Sequence, residues 1–444
     1  MTRMKDSGIE WIGEVPEEWG LKPIKYLVST PVTDGPHETP TLYDEGIPFL
    51  SAESVKNGIL DSRYKRGYIS ETAHKIFSRK VSPQKNDIFI VKSGATTGNV
   101  GIVTTDEIFD IWSPLALVRT RSDLANQKFV YYFMLSDAFT KQIQNKWSFG
   151  TQQNIGMGVI EKIKLVVPPL DEQTQIANFL DKKVAQLDSV KSLLEEQVKT
   201  LEDYRQSLIY ETVTKGLDKT VPLKESGVDW IGQIPEGWGV KRLKNILSDE
   251  KDNMKVGPFG SALSGNDIKS LGKKWVYNQR TVLDNNFITT DSFIDDTKWE
   301  ELKSFSVKAG DVLLTTRGTI GKIAIVPENN QVGIIHPCLI RFRLNEGMLS
   351  GELLKYIFND TDLVKNQLHY LSNSTTIDVI YSYNLKNIFL PVIPESVQNK
   401  ITDFLKREIA RINQMIAIKK EQIENINKQR QTLIYDVVTG KRRV

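Results

Sequence analysis

The fourteen residues "SGIEWIGEVPEEWG" at 7–20 return as "SGVDWIGQIPEGWG" at 226–239, and nothing else in the chain constrains its architecture as much. Nine positions are identical (Ser7/Ser226, Gly8/Gly227, Trp11/Trp230, Ile12/Ile231, Gly13/Gly232, Pro16/Pro235, Glu17/Glu236, Trp19/Trp238, Gly20/Gly239), and three more pair as Ile/Val or Glu/Asp. The likeness extends further. "NDIFIVKSGATTGNVGIV" (86–103) matches "GDVLLTTRGTIGKIAIV" (310–326), "LVVPPLDEQTQIANFL" (165–180) matches "LPVIPESVQNKITDFL" (390–405), and "YRQSLIYETVT" (204–214) matches "KQRQTLIYDVVT" (428–439). The offset is 219 at the opening phrase, 224 at Asp87/Asp311 and 225 from Leu165/Leu390 to Thr214/Thr439. A fixed offset over such lengths means two tandem copies of one structural unit.

Between the matched segments the copies part company. Residues 29–85 and 248–309 share almost nothing, yet differ in length by only about five residues. A kept frame around an altered interior fits a scaffold used twice to recognise two different things, since drift alone would have blurred the frame as well.

At 444 residues the chain exceeds what one hydrophobic core sustains, so at least two domains are expected. With 40% hydrophobic and 25% charged residues it is an ordinary globular composition. A single cysteine, Cys338, excludes an internal disulfide framework. No long uncharged apolar run and no apolar leader in "MTRMKDSGIEW" are present, so the expected setting is the cytoplasm, with no membrane contact. The net charge of +3 permits nucleic-acid binding without requiring it.

Within each copy the first part reads as short β runs broken by turn residues: "IPFLSAES", "DIFIVKSG", "NVGIVTT", "LALVRTRS", then "KWVYNQRTV", "DVLLTTRG", "KIAIVPE" and "IIHPCLIRFRL". Helical stretches follow at 129–143 and 351–368. The second part is a long amphipathic helix. A four-then-three spacing selects Leu180, Val184, Leu187, Lys191, Leu194, Val198, Leu201, Arg205 and Leu208, and 225 residues later Leu405, Ile409, Ile412, Ile416, Lys419, Ile423, Ile426, Arg430 and Leu433. Neither stretch holds Pro or Gly, while Pro168-Pro169 and Pro394 stand just before them. This is coiled-coil patterning, each seam roughly 43 Å long at about 1.5 Å per residue. Two independent surface helices would also show a stripe, but one this long, repeated in register, pairs more naturally with its twin. Arg205 and Arg430 share one seam position and either fix register or reach an acidic partner.

The expected fold is therefore α+β: two tandem recognition domains, each followed by a long α-helix, the helices pairing as an antiparallel coiled coil with pseudo-twofold symmetry. The domains are expected at 1–165 and 219–388, with helical regions at 166–218 and 389–444. Duplex DNA has the same twofold symmetry, with half-sites about one turn, roughly 34–36 Å, apart.

Enzyme motifs are missing. There is no GxxxxGK[ST] loop, and "GTIGK" (318–322) has too few residues between its glycines. No GxGxxG follows a strand, and no Asp/Asn-Pro-Pro-aromatic tetrad occurs. The four histidines and one cysteine show no metal-ligand spacing. Recognition chemistry is easier to find. "SRYKRGYISETAHKIFSRK" (62–80) interleaves Arg63, Lys65, Arg66, Lys75, Arg79 and Lys80 with Tyr64, Tyr68, His74 and Phe77, as a phosphate-tracking surface or a solvated charged face would. "TDGPHETP" (33–40) carries His37 on a polar loop. Lys92, Thr96, Thr97 and Arg317, Thr319, Lys322 sit on glycine turns beyond strands, as phosphate contacts or as plain turns. "YNQRTV" (277–282) offers Asn278 and Gln279 for adenine and Arg280 for guanine, or solvent-facing strand positions. Gln152, Gln153 and Asn154 in "SFGTQQNI", and Asn373 and Thr375 in "SNSTTIDVI", occupy matching polar loops before each long helix.

The opening phrase, the "DIF…SG.TTG" and "DVL…RGTIG" turns, "PPLDEQTQIANFL" and the closing "LIYETVT" and "LIYDVVTGK" together resemble the specificity subunit of type I restriction-modification enzymes, over nearly the whole chain. The resemblance implies two target-recognition domains, each reading half of a bipartite double-stranded DNA site, and paired helices that set the spacer and dock two modification (methyltransferase) subunits. Restriction (endonuclease and translocase) subunits join later. It implies a non-catalytic chain without a cofactor, S-adenosylmethionine, ATP and magnesium belonging to the partners. The rival from another class is a coiled-coil scaffold that binds only proteins. In the second lead-in Ser396 and Val397 replace the acidic Asp171 and Glu172, which puts in question any partner contact made through those acids.

Overall fold

A computed structural model describes residues 3–146, 148–149, 153–259, 261–345, 347–372 and 379–444, with no side-chain description at 148, 149, 153 and 372. The chain forms two compact units. The first takes residues 1–195 together with 420–444, and the second takes 196–419.

In the first unit the strands Thr33–Asp34, Leu115–Val118, Ile88–Val91 and Val100–Ile102 lie side by side, and a hairpin of Ile59–Leu60 and Val55–Lys56 extends that sheet. A second sheet joins Asp110–Ile111, Ile47–Leu50 and Gly67–Ile69. Successive side chains of a strand point to opposite faces. Ile88 and Ile90 therefore enter one core with Phe129, Phe133 and Phe139, while Phe89 and Val91 enter another with Leu50, Phe109 and Ile111. That two-sided burial explains why "DIFIV" shows no polar alternation.

The second unit repeats this plan. Met254–Val256, Leu339–Phe342, Val312–Thr315 and Ile323–Ile325 form its main sheet, and Phe293–Ile294, Lys274–Tyr277 and Gly333–Ile335 form the other. The interiors that share almost no sequence thus share a topology. They differ by an exchange of elements. Where the first unit has the Val55–Leu60 hairpin, the second has the short helix Gln279–Leu283 against the strands Val312–Thr315 and Ile323–Ile325. An ion pair on a buried aspartate recurs as well: Arg119 Nε donates to Asp87 Oδ1 at 2.7 Å, and Arg343 Nε to Asp311 Oδ1 at 2.7 Å.

The two helices read as continuous over 129–143 and 351–368 are each broken in two. Gln127–Leu135 and Asp137–Gln144 meet at Ser136, and Gly351–Asn359 is separated from Leu363–Ser372 by residues 360–362. A hydroxyl competes with the backbone at each break. Ser136 Oγ donates to Phe133 O at 2.6 Å, and Thr361 Oγ1 to Ile357 O at 2.6 Å.

The long helices run Leu170–Lys215 and Glu395–Val438, starting directly after Pro169 and Pro394. All eighteen four-then-three positions are buried or half-buried. Between them only Asp181, Glu202 and Glu408 escape full exposure. Cross-helix contacts fall in number on one helix as they rise on the other, so the pairing is antiparallel. In the second unit Lys419 Nζ donates to Gln197 Oε1 at 2.5 Å and Arg205 Nη1 to Asn413 Oδ1 at 2.6 Å. In the first unit Arg430 Nε lies 3.2 Å from Asp188 Oδ1. Asp188 and Asn413 are matched positions, so both seam arginines meet the same place on the facing helix and fix its register.

The repeated opening phrase is a clasp on a helix end. Tyr435 Oη donates to Trp11 O at 3.0 Å, and Tyr210 Oη to Trp230 O at 3.1 Å. Just past each helix stands a glycine in the left-handed region, Gly440 at φ 76° and Gly216 at φ 71°, as helix C-termini favour. A Cβ at Gly440 would lie 2.4 Å from Pro16 Cδ, and one at Gly216 would lie 3.1 Å from the Trp238 ring. The phrase at 7–20 is therefore clasped by the last helix and the phrase at 226–239 by the first. Glu172 also acts within the chain, since Trp19 Nε1 donates to its Oε2 at 2.9 Å and Arg443 pairs with it. Its counterpart Val397 has no such chemistry.

Candidate nucleic-acid interface

In both units the ends of the sheet strands gather a rim of turns joined by matching backbone bonds. Lys92 N donates to Pro114 O at 2.7 Å, Trp112 N to Leu50 O at 2.8 Å, and Ile155 N to Lys92 O at 2.8 Å. In the second unit Thr316 N donates to Cys338 O at 2.9 Å, His336 N to Tyr277 O at 2.9 Å, and Ile380 N to Thr316 O at 3.0 Å. A Gly-Pro turn presses against this frame at Gly35 and again at Gly257. A Cβ there would lie 2.1 Å from Ile111 O or 2.2 Å from His336 O, so only glycine fits either place. Ser51 and Asn278, the residues after matched strands, each form a capping box with a hydroxyl residue three positions on.

The rim of the first unit is organised by Asp34, whose side chain is 1% exposed. It accepts from Lys80 Nζ at 2.7 Å, pairs with Lys92, and has His37 Nε2 at 3.1 Å. Burial alone would raise the Asp34 carboxyl, but the ammonium groups of Lys80 and Lys92 outweigh it and hold it below the ordinary value. Lys92, expected at the surface, is buried, because its chain runs inward from a strand end to reach Asp34. His74 Nδ1 lies 2.5 Å from Asp110 Oδ2, a buried carboxyl pushed up by desolvation against the pull of that histidine. Arg66 stacks over the Trp112 ring at 4.4 Å.

The remaining cations of 62–80 are less committed. Arg63 pairs with Asp61 at 2.7 Å but stays exposed, and Lys65 lies over the Tyr68 ring. Lys75, Arg79, Thr96 and the half-exposed Tyr64 face solvent. Thr97 is buried in its own turn, donating from Oγ1 to Gly94 O at 2.7 Å. Asn154 is exposed and its backbone bridges to Ser93, which brings it to the same rim. Gln152, Asn373 and Thr375 lie outside the described residues, as does the Gln153 side chain.

In the second unit the strand expected through "YNQRTV" ends at Tyr277. Asn278 turns the chain into a helix, its Oδ1 accepting from Thr281 N at 3.2 Å while its Nδ2 donates to Ser292 Oγ at 3.2 Å. Its side chain is thereby spent on the fold. Gln279 Nε2 donates to Thr319 O at 3.5 Å, which brings it to the Arg317–Thr319 turn, and Arg317, Thr319 and Arg280 are exposed. Lys322 is tied down, its Nζ donating to Asn359 O at 2.6 Å. The same rim holds residues that the sequence did not single out. His336 Nδ1 lies 2.9 Å from Cys338 Sγ, and burial lowers the imidazole and raises the thiol. Phe259, after the second Gly-Pro turn, is 83% exposed. The two-residue echo Gly35-Pro36/Gly257-Pro258 was the available signal, too short to stand out in unlike surroundings.

The rims present guanidinium, ammonium, amide and ring groups on rigid backbone turns, the groups that contact phosphates and base edges. Among the described residues no cluster of three or more His, Cys, Asp or Glu could hold a metal ion, and no helix is long and apolar enough to cross a membrane.

Known proteins share this plan. Solved structures match it across the chain. One, from work on complex assembly and conformational transition of the type I R-M system, has a TM-score of 0.69 at 15% identity, covering 96% of this chain and 99% of that one. The HsdS subunit from Thermoanaerobacter tengcongensis has a TM-score of 0.50 at 16% identity, covering 96% and 98%. By sequence the chain is 24% identical to the type I restriction enzyme MjaVIII specificity subunit of Methanocaldococcus jannaschii, over 97% of this chain and 94% of the relative. It is 25% identical to the EcoBI specificity subunit of Escherichia coli, over 73% and 67%. The family described as the type I restriction modification DNA specificity domain matches twice, at residues 31–200 and 235–425. These two matches take in most of the chain, which belongs to that family and is a non-catalytic DNA sequence-specificity subunit without a cofactor of its own.

Proposed function

We propose that residues 1–165 and 219–388 each read one half of a bipartite duplex DNA site in the cytoplasm, and that the helical regions 166–218 and 389–444 set the spacer and dock two methyltransferase subunits. The observation that carries this reading is the rim built twice on one backbone plan with different side chains. Arg63, Tyr64, Arg66, Lys75, Arg79 and Thr96 are the first domain's exposed candidates and Lys65 a half-buried one, and Gln152, Gln153 and Asn154 are candidates by sequence. Gln279, Arg280, Arg317 and Thr319 serve the second, with Asn373 and Thr375. Lys92, His74, Thr97, Asn278 and Lys322 act through the shape they give the rim. The partners carry S-adenosylmethionine for adenine methylation, and restriction subunits bring ATP and magnesium.

Docking is supported by exposed apolar residues at matched places on both long helices. Val190 and Leu193 on the first correspond to Met415 and Ile418 on the second, all 40–55% exposed. Apolar groups left outside a seam in this repeated way mark a surface for further helices.

Exchange of residues 29–160 for those of a relative with another target, in a complex with methyltransferase subunits, tests the reading. Mapping methylated adenines is expected to show one half of the motif changed and the other kept. A motif changed in both halves, or in neither, refutes the assignment of halves to domains. The ruler is tested by adding a heptad after Val190 and another opposite it after Asn427. Seven residues add about 10 Å to the pair, close to three base pairs at about 3.4 Å each. The spacer is expected to lengthen accordingly; a motif with its original spacer shows that the helices do not measure it.

A further inference from the structure

The two Gly-Pro turns are a feature of the divergent interiors that both rims keep, and each lifts a ring into solvent. Gly35 and Gly257 have no room for a Cβ, and proline fixes the next φ. The residue after each proline is therefore delivered to one place by a stiff mount. In the first unit it is His37, with a side chain 71% exposed, and in the second it is Phe259, 83% exposed. His37 is steadied through Nε2 by Asp34 at 3.1 Å, so Nδ1 is the ring nitrogen not engaged by that carboxylate. Among the described residues no ring contact holds Phe259, so its apolar face stays open on a rigid turn.

We propose that this mounted ring is a base-reading position in each recognition domain, polar in the first and apolar in the second. The inference rests on the DNA-reading function proposed above. His37 Nδ1 meets a hydrogen-bonding base edge. Phe259 meets the C5-methyl group of thymine, the apolar group on a major-groove edge, so the second half-site contains an A·T pair at that place. A shared mount with unlike tips lets one scaffold read two half-sites without altering its backbone.

The test uses the full chain in complex with its methyltransferase subunits, with adenine methylation mapped for the wild type, Phe259→Ala and His37→Ala. Phe259→Ala is expected to relax one position of the second half-site by about tenfold, within the range of a single base contact. His37→Ala is expected to relax one position of the first half only. In gel-shift measurements the wild-type complex should lose several-fold affinity when thymine at the relaxed position is replaced by uracil, and Phe259→Ala should be indifferent to that exchange. Melting temperature should not move for Phe259→Ala, since the side chain is 83% exposed. An unchanged motif, equal loss of affinity on cognate and random duplex, or wild-type insensitivity to uracil overturns the proposal. A wild-type complex that methylates no bipartite motif overturns the DNA-reading assignment itself, a result these variants cannot mimic.

Discussion

Removing residues 429–444 is expected to unfold the first unit and leave the second folded, although the deletion lies at the opposite end of the chain from the first recognition domain. Ile434, Val437 and Val438 are fully buried in the same core as Ile12, Trp19, Phe133 and Leu180. Burying an aliphatic side chain of this size contributes about 1.5–3 kcal/mol, so the three supply roughly 4.5–9 kcal/mol. Net stabilities of domains lie at about 5–15 kcal/mol, and the loss is of that order. The clasp goes too: the Tyr435 hydroxyl on Trp11 and Ile12, the Gly440 turn against Trp19, and the Arg443 pairs with Glu18 and Glu172. The second unit draws on Ile209 and Val213 of the other long helix instead. Hydrogen exchange read separately on peptides of 3–165 and 223–393 checks this, the first set losing protection and the second keeping it. Reciprocal point variants sharpen the test. Ile434→Ala should destabilise the first unit by about 2–5 kcal/mol and Ile209→Ala the second by a similar amount. Equal loss in both units from either variant shows that the cores are not divided in this way.

That division is what the repeated sequence encoded and also what it hid. The phrase at 7–20 and the ending "LIYDVVT" are both visible as repeats, but their contact joins residues more than four hundred positions apart. Only the second copy, where Tyr210 precedes Trp230 by 20 residues, places the two motifs near each other in the chain. The long helices were legible because a seam is a local periodic pattern. The common topology of the interiors was not, because the restraints they share are carried by backbone. Ser51 and Asn278 form equivalent capping boxes with unlike side chains, and a carbonyl that excludes a Cβ selects a single glycine. The helix breaks at Ser136 and around Thr361 rest on one hydroxyl each, in stretches whose apolar pattern runs straight on.

The rim shows the same limit from the side of charge. Six cations between 62 and 80 look alike in sequence, yet Lys80 and Arg66 are tied to Asp34, Glu53 and Trp112, while Lys75 and Arg79 face solvent. What separates them is distant pairing. Asp34 stands 46 residues from Lys80 and 58 from Lys92, beyond any local pattern.

Asp34→Ala is accordingly expected to destabilise the first unit by about 3–5 kcal/mol, the usual effect of leaving one member of a buried ion pair without its partner. Lys92 would stay enclosed with an uncompensated ammonium, and Lys80 would lose its carboxylate partner, keeping only the Gly35 carbonyl on the turn that carries His37. The pH dependence has a definite sign. The Asp34 carboxyl is held below its ordinary value of 3.8, so its contribution is complete above that pH and fades as the pH falls through the lower folded-state value. Asp110 works in the opposite sense. Its carboxyl is raised above 3.8 by burial, so its contribution is complete below 3.8 and is lost as the pH rises through the raised value. Denaturant unfolding of the first unit in a series from pH 3 to pH 7 should therefore show an acid-side loss below about pH 4 that Asp34→Ala reduces, the lowered carboxyls of Glu18, Asp61 and Asp123 keeping their share. A double change, Asp34→Ala with Lys92→Met, removes both charges and fills the lysine's space with an apolar chain. It should recover most of the loss, because a buried pair replaced by apolar groups is often neutral. If Asp34→Ala alone costs less than about 1 kcal/mol, a surface-pair value, Lys92 is solvated and the rim is not built on this carboxylate. If the double change is as unstable as the single one, the loss comes from the turn around Gly35 and not from the stranded charge.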